Sequence, residues 1–286
     1  MRRNAPAFLA AVLLMILIAS LSGTQAAQQP APATVAPARE VAPIDLTGYW
    51  VSIVTEDWRH RMATERKGDY ESLPLNPEGR RVADTWDLAK DNAAGLQCKA
   101  FGVAALIRQP GRLHITWQDD STLKMDFDAG TQTRLLHFNK SKQPSGEKTW
   151  QGHSIAEWEG PTVGRRGMPI PGTQQGLLGT RGAPPPSRSM YEGGSLKVMT
   201  TNFREGYLRK NGVPYSENAS VTEHFHLPSK LPNGDQLLWV VTTVEDPKYL
   251  TQPFFTSTQF KREPDGSKWN PTPCRTAPPP PAAAAR

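Results

Sequence analysis

The sequence predicts an all-β protein, an antiparallel β-barrel of about 8–10 strands with one helix near the N-terminus. Three observations predict this class. Short segments of alternating apolar and polar residues recur along the chain, and turn signals separate them at regular intervals. Eight tryptophans supply large core side chains in a chain that is only 37% hydrophobic. A β-sandwich built from the same strands is the alternative architecture.

The first 26 residues have the layout of a secretory signal peptide. Arg2 and Arg3 form a basic start, residues 7–19 are an uninterrupted apolar run, and residues 24–26 offer small side chains for cleavage. The apolar run is shorter than the ~20 residues that cross a bilayer as a helix. We therefore expect a secreted or periplasmic protein that does not span a membrane once the signal is removed.

The rest of the chain divides by composition. Residues 27–43 are an Ala/Pro-rich linker and residues 275–286 a similar tail, because neither can bury enough apolar surface to offset the entropy of ordering. Residues 44–274 form a single barrel domain with a Gly/Pro-rich insertion at 161–194. This insertion is either a lid over a site or a disordered segment.

Within the domain, the alternation of side chains over residues 50–55 predicts a strand with one buried face. Asn76 and Pro77 then start a helix that continues to about Lys90, since Asn is a favoured N-cap and Pro a favoured first residue. Residues 104–118 predict two strands around a Gln-Pro-Gly-Arg turn, and residues 121–138 predict a hairpin around Asp128. The remaining predicted strands are 153–159, 196–203, 221–227, 237–245 and 254–261.

The net charge of +6 falls to +4 when Arg2 and Arg3 leave with the signal. The chain has no basic helix, no basic stripe interleaved with aromatic residues and no zinc-ligand spacing. We therefore expect neither a nucleic-acid partner nor a cofactor.

The two cysteines, Cys98 and Cys274, predict a disulfide, because an even count in an exported chain favours pairing. Two buried free thiols are the alternative. The bond would order the chain up to Cys274, although the two prolines of residues 269–274 argue against a strand there.

Residues 152–156, Gly-His-Ser-Ile-Ala, are similar to the nucleophile elbow of serine hydrolases. That elbow needs a buried strand before the serine and a helix after it. Here a polar loop precedes Ser154, and Gly160-Pro161 follows too soon for a helix. We therefore interpret 153–159 as a strand and Ser154 as no nucleophile.

Residues 221–227 contain the candidate site residues with the clearest physical argument. His224 and His226 share one strand face, either as two metal ligands completed by His114 or His137, or as an exposed pair; we favour the exposed pair and expect no metal. Glu223 and Phe225 then point inward. A glutamate inside a barrel needs a partner, and His153 is the expected one, as an acid–base pair or as a structural network.

From Asp45 onward the chain resembles a group of secreted bacterial β-rich proteins of uncharacterised function. The resemblance rests on DLTGYW at 45–50, WQGHSIAEWEG at 150–160, NGVPYSENASVTEHF at 211–225 and VEDPKYLTQPF at 244–254. It implies a shared fold and no particular activity. It also gives weight to a set of residues: Cys98, His153, Trp158, Glu159, Gly160, Ser216, Glu223, Asp246 and Pro247.

A weaker resemblance connects the chain with lipocalins. The Gly48-Tyr49-Trp50 segment looks like the Gly-x-Trp signature on the first lipocalin strand, where the tryptophan closes the floor of the barrel. The resemblance implies a lipocalin-like barrel that binds a small molecule. The candidate ligand-binding residues are Trp50, His153, Trp158, Glu159, Glu223 and Phe225.

Three functional hypotheses follow. The first is an exported barrel that binds a small, largely apolar molecule in its interior. The second is an extracytoplasmic isomerase, lyase or hydrolase that uses His153 and Glu223 as its catalytic pair without a cofactor. The third is a non-catalytic interaction module of the envelope, with an exposed apolar patch and no pocket.

Overall fold

The structure, a computed structural model, describes residues 36–144, 146–160 and 194–280. The predicted signal peptide, most of the predicted linker, the insertion up to residue 193 and residues 281–286 lie outside the described residues.

A closed barrel of nine strands forms the body of the protein, in the ring order β1-β12-β11-β10-β7-β6-β5-β3-β2. The all-β prediction is therefore confirmed, and the sandwich alternative is wrong. The strands are β1 (Gly48–Ile53), β2 (Arg112–Asp119), β3 (Thr122–Phe127), β5 (Gln132–His137), β6 (His153–Glu159), β7 (Ser195–Thr201), β10 (Ser220–His226), β11 (Leu237–Glu245) and β12 (Phe254–Glu263).

The barrel is mixed rather than purely antiparallel. Strands β5 and β6 run parallel, paired through Leu136–Ser154 and His137–Ile155, and the other neighbours in the ring are antiparallel. The reason is topological. Strands that alternate in direction can close a ring only if their number is even, so a ring of nine must contain a parallel pair.

Four short strands lie outside the ring. Strands β8 (Gly206–Arg209) and β9 (Val213–Tyr215) form an antiparallel hairpin. Strand β13 (Thr272–Pro273) pairs in parallel with β4 (Ala129–Gly130). The expectation that residues 269–274 form no strand is therefore wrong for two of them.

The helical region between β1 and β2 is longer and more divided than predicted. It contains α1 (Trp58–Met62), α2 (Pro77–Ala83), α3 (Leu88–Ala93), a 3₁₀ helix (Gln97–Phe101) and α4 (Val103–Leu106). The single helix expected over 76–90 is thus two helices. The second starts at Asp87, whose carboxylate accepts hydrogen bonds from the backbone N–H groups of Ala89 and Lys90.

Helix α4 occupies residues for which a strand was expected. Its four residues are all buried, so no polar face reveals a period in the sequence. Phe101, Leu106 and Ile107 pack against the inward side chains of the barrel in one core cluster. This helical segment therefore covers part of the barrel interior.

Residues 37–46 lie against another part of the barrel core. Ile44 and Leu46 are buried in the core cluster, and the Trp158 indole N–H donates to the Ala38 carbonyl at 2.9 Å. Trp50 is fully buried beneath the Arg262 guanidinium, 4.4 Å from its ring centroid, and donates to the Leu46 carbonyl. Together with the α4 segment, residues 37–46 cover the inward side chains of the barrel from solvent.

A disulfide joins Cys98 and Cys274, as predicted, with a Cα–Cα distance of 5.1 Å. It fixes the C-terminal segment beside β4 and the 3₁₀ helix. None of the described helices is long and apolar enough to cross a membrane.

Candidate functional site

Glu223 points into the barrel, as the alternation of β10 predicts, and it is completely buried. Its partner is Arg134 on β5. Two guanidinium nitrogens of Arg134 donate to the two carboxylate oxygens at 3.0 and 2.5 Å. Such bidentate pairing compensates much of the desolvation cost of both charges, so this pair holds the two strands in place across the interior.

Polar side chains continue from this ion pair around the inner wall. Arg134 also donates to the Thr200 hydroxyl at 3.3 Å, and the Thr200 and Ser154 hydroxyls are 2.8 Å apart. The hydroxyls of Thr242 and Thr258, also buried, have no partner among the described side and main chains. Together these residues form a polar layer, defined here as Arg134, Ser154, Thr200, Glu223, Thr242 and Thr258.

Apolar residues enclose the polar layer on both sides along β10 and β11. Phe225 and Val240 lie in one core cluster, whereas Val221 and Val244 lie in the other. Glu223 and Thr242 stand between them and are cross-strand partners. The layer therefore has no open path to solvent in the described part of the chain, and its ion pair acts as a structural element.

His153 does not reach Glu223. It lies on the outer face of β6, because its neighbour Ser154 takes the inward position. The His153 ring packs on the ring of His137, with centroids 5.4 Å apart, and its Nε2 lies 2.8 Å from the Lys142 carbonyl oxygen. The expected acid–base pair is therefore not formed, and the physical reason is the alternation of side chains along a strand.

Ser154 lies within a strand and not on a nucleophile elbow. Its side chain is 1% exposed and is bonded to a threonine rather than to a histidine. The interpretation of residues 153–159 as a strand is confirmed with the same boundaries.

The other candidate ligand-binding residues are divided between core and surface. Phe225 and Trp50 belong to the filled core, and Trp158 packs against it beside Phe138, with ring centroids 5.0 Å apart. Glu159 lies on the outer face, where its carboxylate is 3.0 Å from Nδ1 of His224. The structure therefore does not bring the six residues together in one site.

His224 and His226 stack on the outer face with centroids 6.3 Å apart. Among the described residues, no group of three or more His, Cys, Asp or Glu side chains has an arrangement that could hold a metal ion. Glu159 joins His224 there, while His114 instead stacks on Tyr49, at 3.9 Å between centroids.

Exposed apolar side chains also occur on the outer face of the sheet. Met199 and Phe255 are 50% and 63% exposed and lie in one cross-strand row. Thr222 and Thr243 stand between them in that row. The two threonines separate these two side chains within the row. The other exposed large apolar side chains of the described residues are Trp58, Met62, Leu231 and Val241.

A cleft of about 320 Å³ lies between helices α2 and α3 and the β8–β9 hairpin. Its aromatic walls come from Trp86, Tyr207, Tyr215 and Tyr249. Gly212 makes the cleft possible, because a Cβ atom there would lie 2.1 Å from the Trp86 ring. Its backbone has a φ of +80°, which also favours glycine.

Polar groups of this cleft are held by specific contacts. The Tyr207 hydroxyl donates to Asp91 at 2.9 Å, and the Lys99 ammonium lies 5.2 Å from the Tyr207 ring centroid. Burial, together with the bond to Asp91, raises the pKa of Tyr207, so its hydroxyl stays protonated. The fully buried Tyr215 hydroxyl, beside the backbone at Gly206, has no partner in the described residues.

Sequence reasoning did not find this cleft. Tyr215 and Gly212 belong to NGVPYS, part of a segment on which the resemblance to secreted bacterial proteins rests. This segment was the sequence feature that could have indicated the cleft. Trp86 lies within the single helix that the sequence predicted from Asn76 to about Lys90. The helix instead ends before it, which frees the indole to pack on the hairpin.

A wider depression of about 910 Å³ runs along residues 37–47. Trp117 is its one aromatic side chain, and Arg39, Glu40, Asp45 and Asp120 give it a charged lining. The cap cleft, defined as the 320 Å³ cleft at Trp86 and Tyr207, is smaller but offers several aromatic surfaces. Charged residues line the cap cleft as well: Asp87, Lys90, Asp91, Lys99 and Glu205. Aromatic surface together with placed polar groups is common in small-molecule sites.

Comparison of the chain with protein-family models, with curated proteins and with solved structures finds no match.

Proposed function

We propose that the chain is an exported, lipocalin-like binding protein without catalytic function, and that it binds a small, largely apolar molecule in the cap cleft. The ligand position differs from the interior site expected from the sequence. Inward side chains fill the barrel, and the Arg134–Glu223 pair lies among them without exposure to solvent.

The observation that carries this proposal is the set of rings in the cap cleft. Trp86, Tyr207 and Tyr249 line a space whose volume suits a small organic molecule. A flat apolar ligand gains area burial and ring stacking there. Lys99 and Asp91 at the same cleft would orient a polar substituent.

Export is supported by the predicted signal peptide and by the Cys98–Cys274 bond, since disulfides persist in oxidising compartments. A secreted or periplasmic location is therefore part of the proposal. The catalytic hypothesis receives no support from geometry, because His153 and Glu223 lie on opposite faces of the sheet wall.

Native mass spectrometry of the protein purified from the exported fraction, followed by solvent extraction, tests the proposal. We expect a bound small molecule in the wild type. Thr85 lines the cleft and is exposed, so Thr85→Trp should fill the cleft and remove the ligand. Ser257→Trp, at an exposed position on the outer face of β12, is the matched control and should retain it.

Two outcomes would overturn the proposal. One is a wild-type protein that carries no small molecule. The other is a Thr85→Trp variant that keeps the same ligand at the same occupancy as Ser257→Trp.

A further inference from the structure

The chain contains two Asn-Gly pairs, and the fold places them in opposite environments. Asn233 and Gly234 lie in the exposed connection between β10 and β11. Asn211 and Gly212 lie in the turn of the β8–β9 hairpin, where Asn211 is completely buried. The two pairs are identical as dipeptides, so a difference in their reactivity must come from the structure around them.

An asparagine that is followed by glycine can react with its own backbone. The amide nitrogen of the next residue attacks the side-chain Cγ atom, and a five-membered succinimide ring forms. The reaction requires space around the following residue, stabilisation of the negative charge that develops on Oδ1, and water that can open the ring. The turn at Asn233 supplies all three.

Gly234 leaves the attacking nitrogen unobstructed. A Cβ atom at this position would have no heavy atom within 4 Å, and the backbone φ of +86° favours glycine. The Gly234 N–H donates to the Leu231 carbonyl at 2.8 Å and must leave this bond before the nitrogen attacks. Because the turn is exposed, water can replace the lost contacts and local opening is easy.

Two contacts with Asp235 hold the Asn233 side chain over the following peptide. The backbone N–H of Asp235 donates to Oδ1 of Asn233 at 3.0 Å, and Nδ2 of Asn233 donates to the Asp235 carboxylate at 3.0 Å. The Oδ1 contact forms an Asx turn, which keeps Cγ beside the Gly234 nitrogen. The same N–H stabilises the negative charge on Oδ1 when the nitrogen attacks Cγ.

Asn211 is held in a way that opposes the same reaction. Its Nδ2 donates to the Arg66 and Asp69 carbonyls at 3.1 and 2.9 Å, and the residue is 0% exposed. Gly212 packs against the Trp86 ring, so its backbone has no room to move toward the side chain. Cyclisation of Asn211 would therefore require this part of the hairpin to open first.

We propose that Asn233 is a site of spontaneous covalent modification, at which the folded protein converts asparagine to aspartate and isoaspartate. The bond from the Gly234 nitrogen to Cγ forms, and this nitrogen gives its proton to the solvent. The Cγ–Nδ2 bond breaks, and Nδ2 takes a proton from water and leaves as ammonia. Water then opens the succinimide, giving aspartate by addition at Cγ and isoaspartate by addition at the main-chain carbonyl carbon of residue 233.

The modification changes the connection between β10 and β11 in two ways. It adds a negative charge beside Asp235, whose partner is Lys261 at 2.8 Å. Isoaspartate also lengthens the main chain by one carbon within a turn that is closed by the bonds Gly234 N–H to Leu231 and Leu231 N–H to Asp235. The turn does not line the cap cleft, and the proposal does not depend on the function proposed for that cleft.

Peptide mapping by mass spectrometry, with the folded protein incubated in neutral and mildly alkaline buffer, tests the proposal. We expect the Asn233 peptide to undergo the amide-to-acid mass change at least about tenfold faster than the Asn211 peptide, because Asn211 reacts only after its buried segment opens. The rate should rise with pH, since the attacking nitrogen must lose its proton. In urea, where both segments are unfolded, the two pairs should react at similar rates.

Asn233→Gln should abolish the modification at this position, because cyclisation would then need a six-membered ring. Asn218→Gln is the matched control, since Asn218 is also exposed but precedes an alanine, and this variant should still modify Asn233. The proposal is overturned if Asn233 stays unmodified in the folded protein, and its reaction in urea would then show that the turn protects it. Equal rates for Asn233 and Asn211 in the folded protein would also overturn it.

Discussion

Arg134 and Glu223, 89 residues apart in the sequence, form a bidentate ion pair inside the barrel with neither side chain exposed to solvent. The pair connects β5 with β10 across the interior, although the two strands are not neighbours in the sheet. It replaces the histidine partner that the sequence suggested for Glu223. The interior charge therefore serves the fold.

Removing one member of this ion pair should destabilise the protein strongly. We expect Glu223→Gln to lower the free energy of unfolding by about 3–5 kcal/mol, because the Arg134 charge is then buried without compensation. The double variant Arg134→Met with Glu223→Leu should recover much of this loss. Urea denaturation measures both.

Glu157→Gln provides the control for that experiment. Glu157 pairs with Lys140 and Lys197 on the outer face, where its side chain is 38% exposed. We expect a change of at most ~1 kcal/mol, as for other exposed ion pairs. Equal losses for Glu157→Gln and Glu223→Gln would contradict a special role of the interior pair.

Reduction of the Cys98–Cys274 disulfide should lower stability substantially. The bond spans 176 residues, and the chain-entropy model gives up to about 5 kcal/mol for a loop of this length. Thermal unfolding with and without reductant measures the effect. The double variant Cys98→Ser with Cys274→Ser should melt at the temperature of the reduced wild type and should not respond to reductant.

Ser154→Ala should have only a modest structural effect. It removes the hydroxyl contact with Thr200, so we expect a loss of about 1 kcal/mol in unfolding free energy. A fluorophosphonate probe should not label the wild-type protein, because the hydroxyl is buried and no histidine is bonded to it. Labelling that disappears in Ser154→Ala would restore the hydrolase interpretation.

Stability should fall as the pH decreases from about 6.5 to about 4. Burial, then the Lys142 charge and the neighbouring His153, lower the pKa of His137 to about 4. Between this value and the ordinary histidine pKa of about 6.5, the unfolded chain binds more protons than the folded protein. The stabilisation that comes from the neutral His137 side chain is therefore complete above about pH 6.5. It is lost as the pH falls through the pKa of His137 in the folded protein.

The size of this pH effect has an upper limit of about 1.4 kcal/mol per pH unit within the window. Denaturant unfolding at a series of pH values measures it. His137→Asn should reduce the slope, because asparagine does not titrate. His226→Asn removes a histidine from the outer face of β10. Comparing its slope with that of His137→Asn shows whether the two histidines contribute equally to the pH dependence.

The strands were predictable because one face of each is buried. Residues 153–159 and 237–245 alternate so regularly that their predicted and observed limits agree. The same alternation placed Glu223 inside. It also places Arg134 on the inner face with Leu136, but no local rule connects two residues so far apart, and the ion pair was therefore missed.

The helical region between β1 and β2 was less predictable than the strands, for two physical reasons. The apolar run at 104–107 has no polar face, so helix and strand could not be distinguished by period. Asp87 is an N-cap inside a segment that otherwise fits one helix, and its effect is to start a new one. The cap cleft depends on the break before Trp86, so it could not be foreseen while the helix was taken as continuous.

The parallel junction between β5 and β6 has a consequence for how the barrel opens. Two cross-strand pairs join these strands, whereas β6 and β7 are paired along residues 153–159. Backbone amides at this junction should therefore exchange with deuterium earlier than those of β10 and β11, because local opening begins where the ladder is shortest. Nine strands require a parallel pair in the ring, and here that pair is joined by two residue pairs. We therefore expect the barrel to open first between β5 and β6.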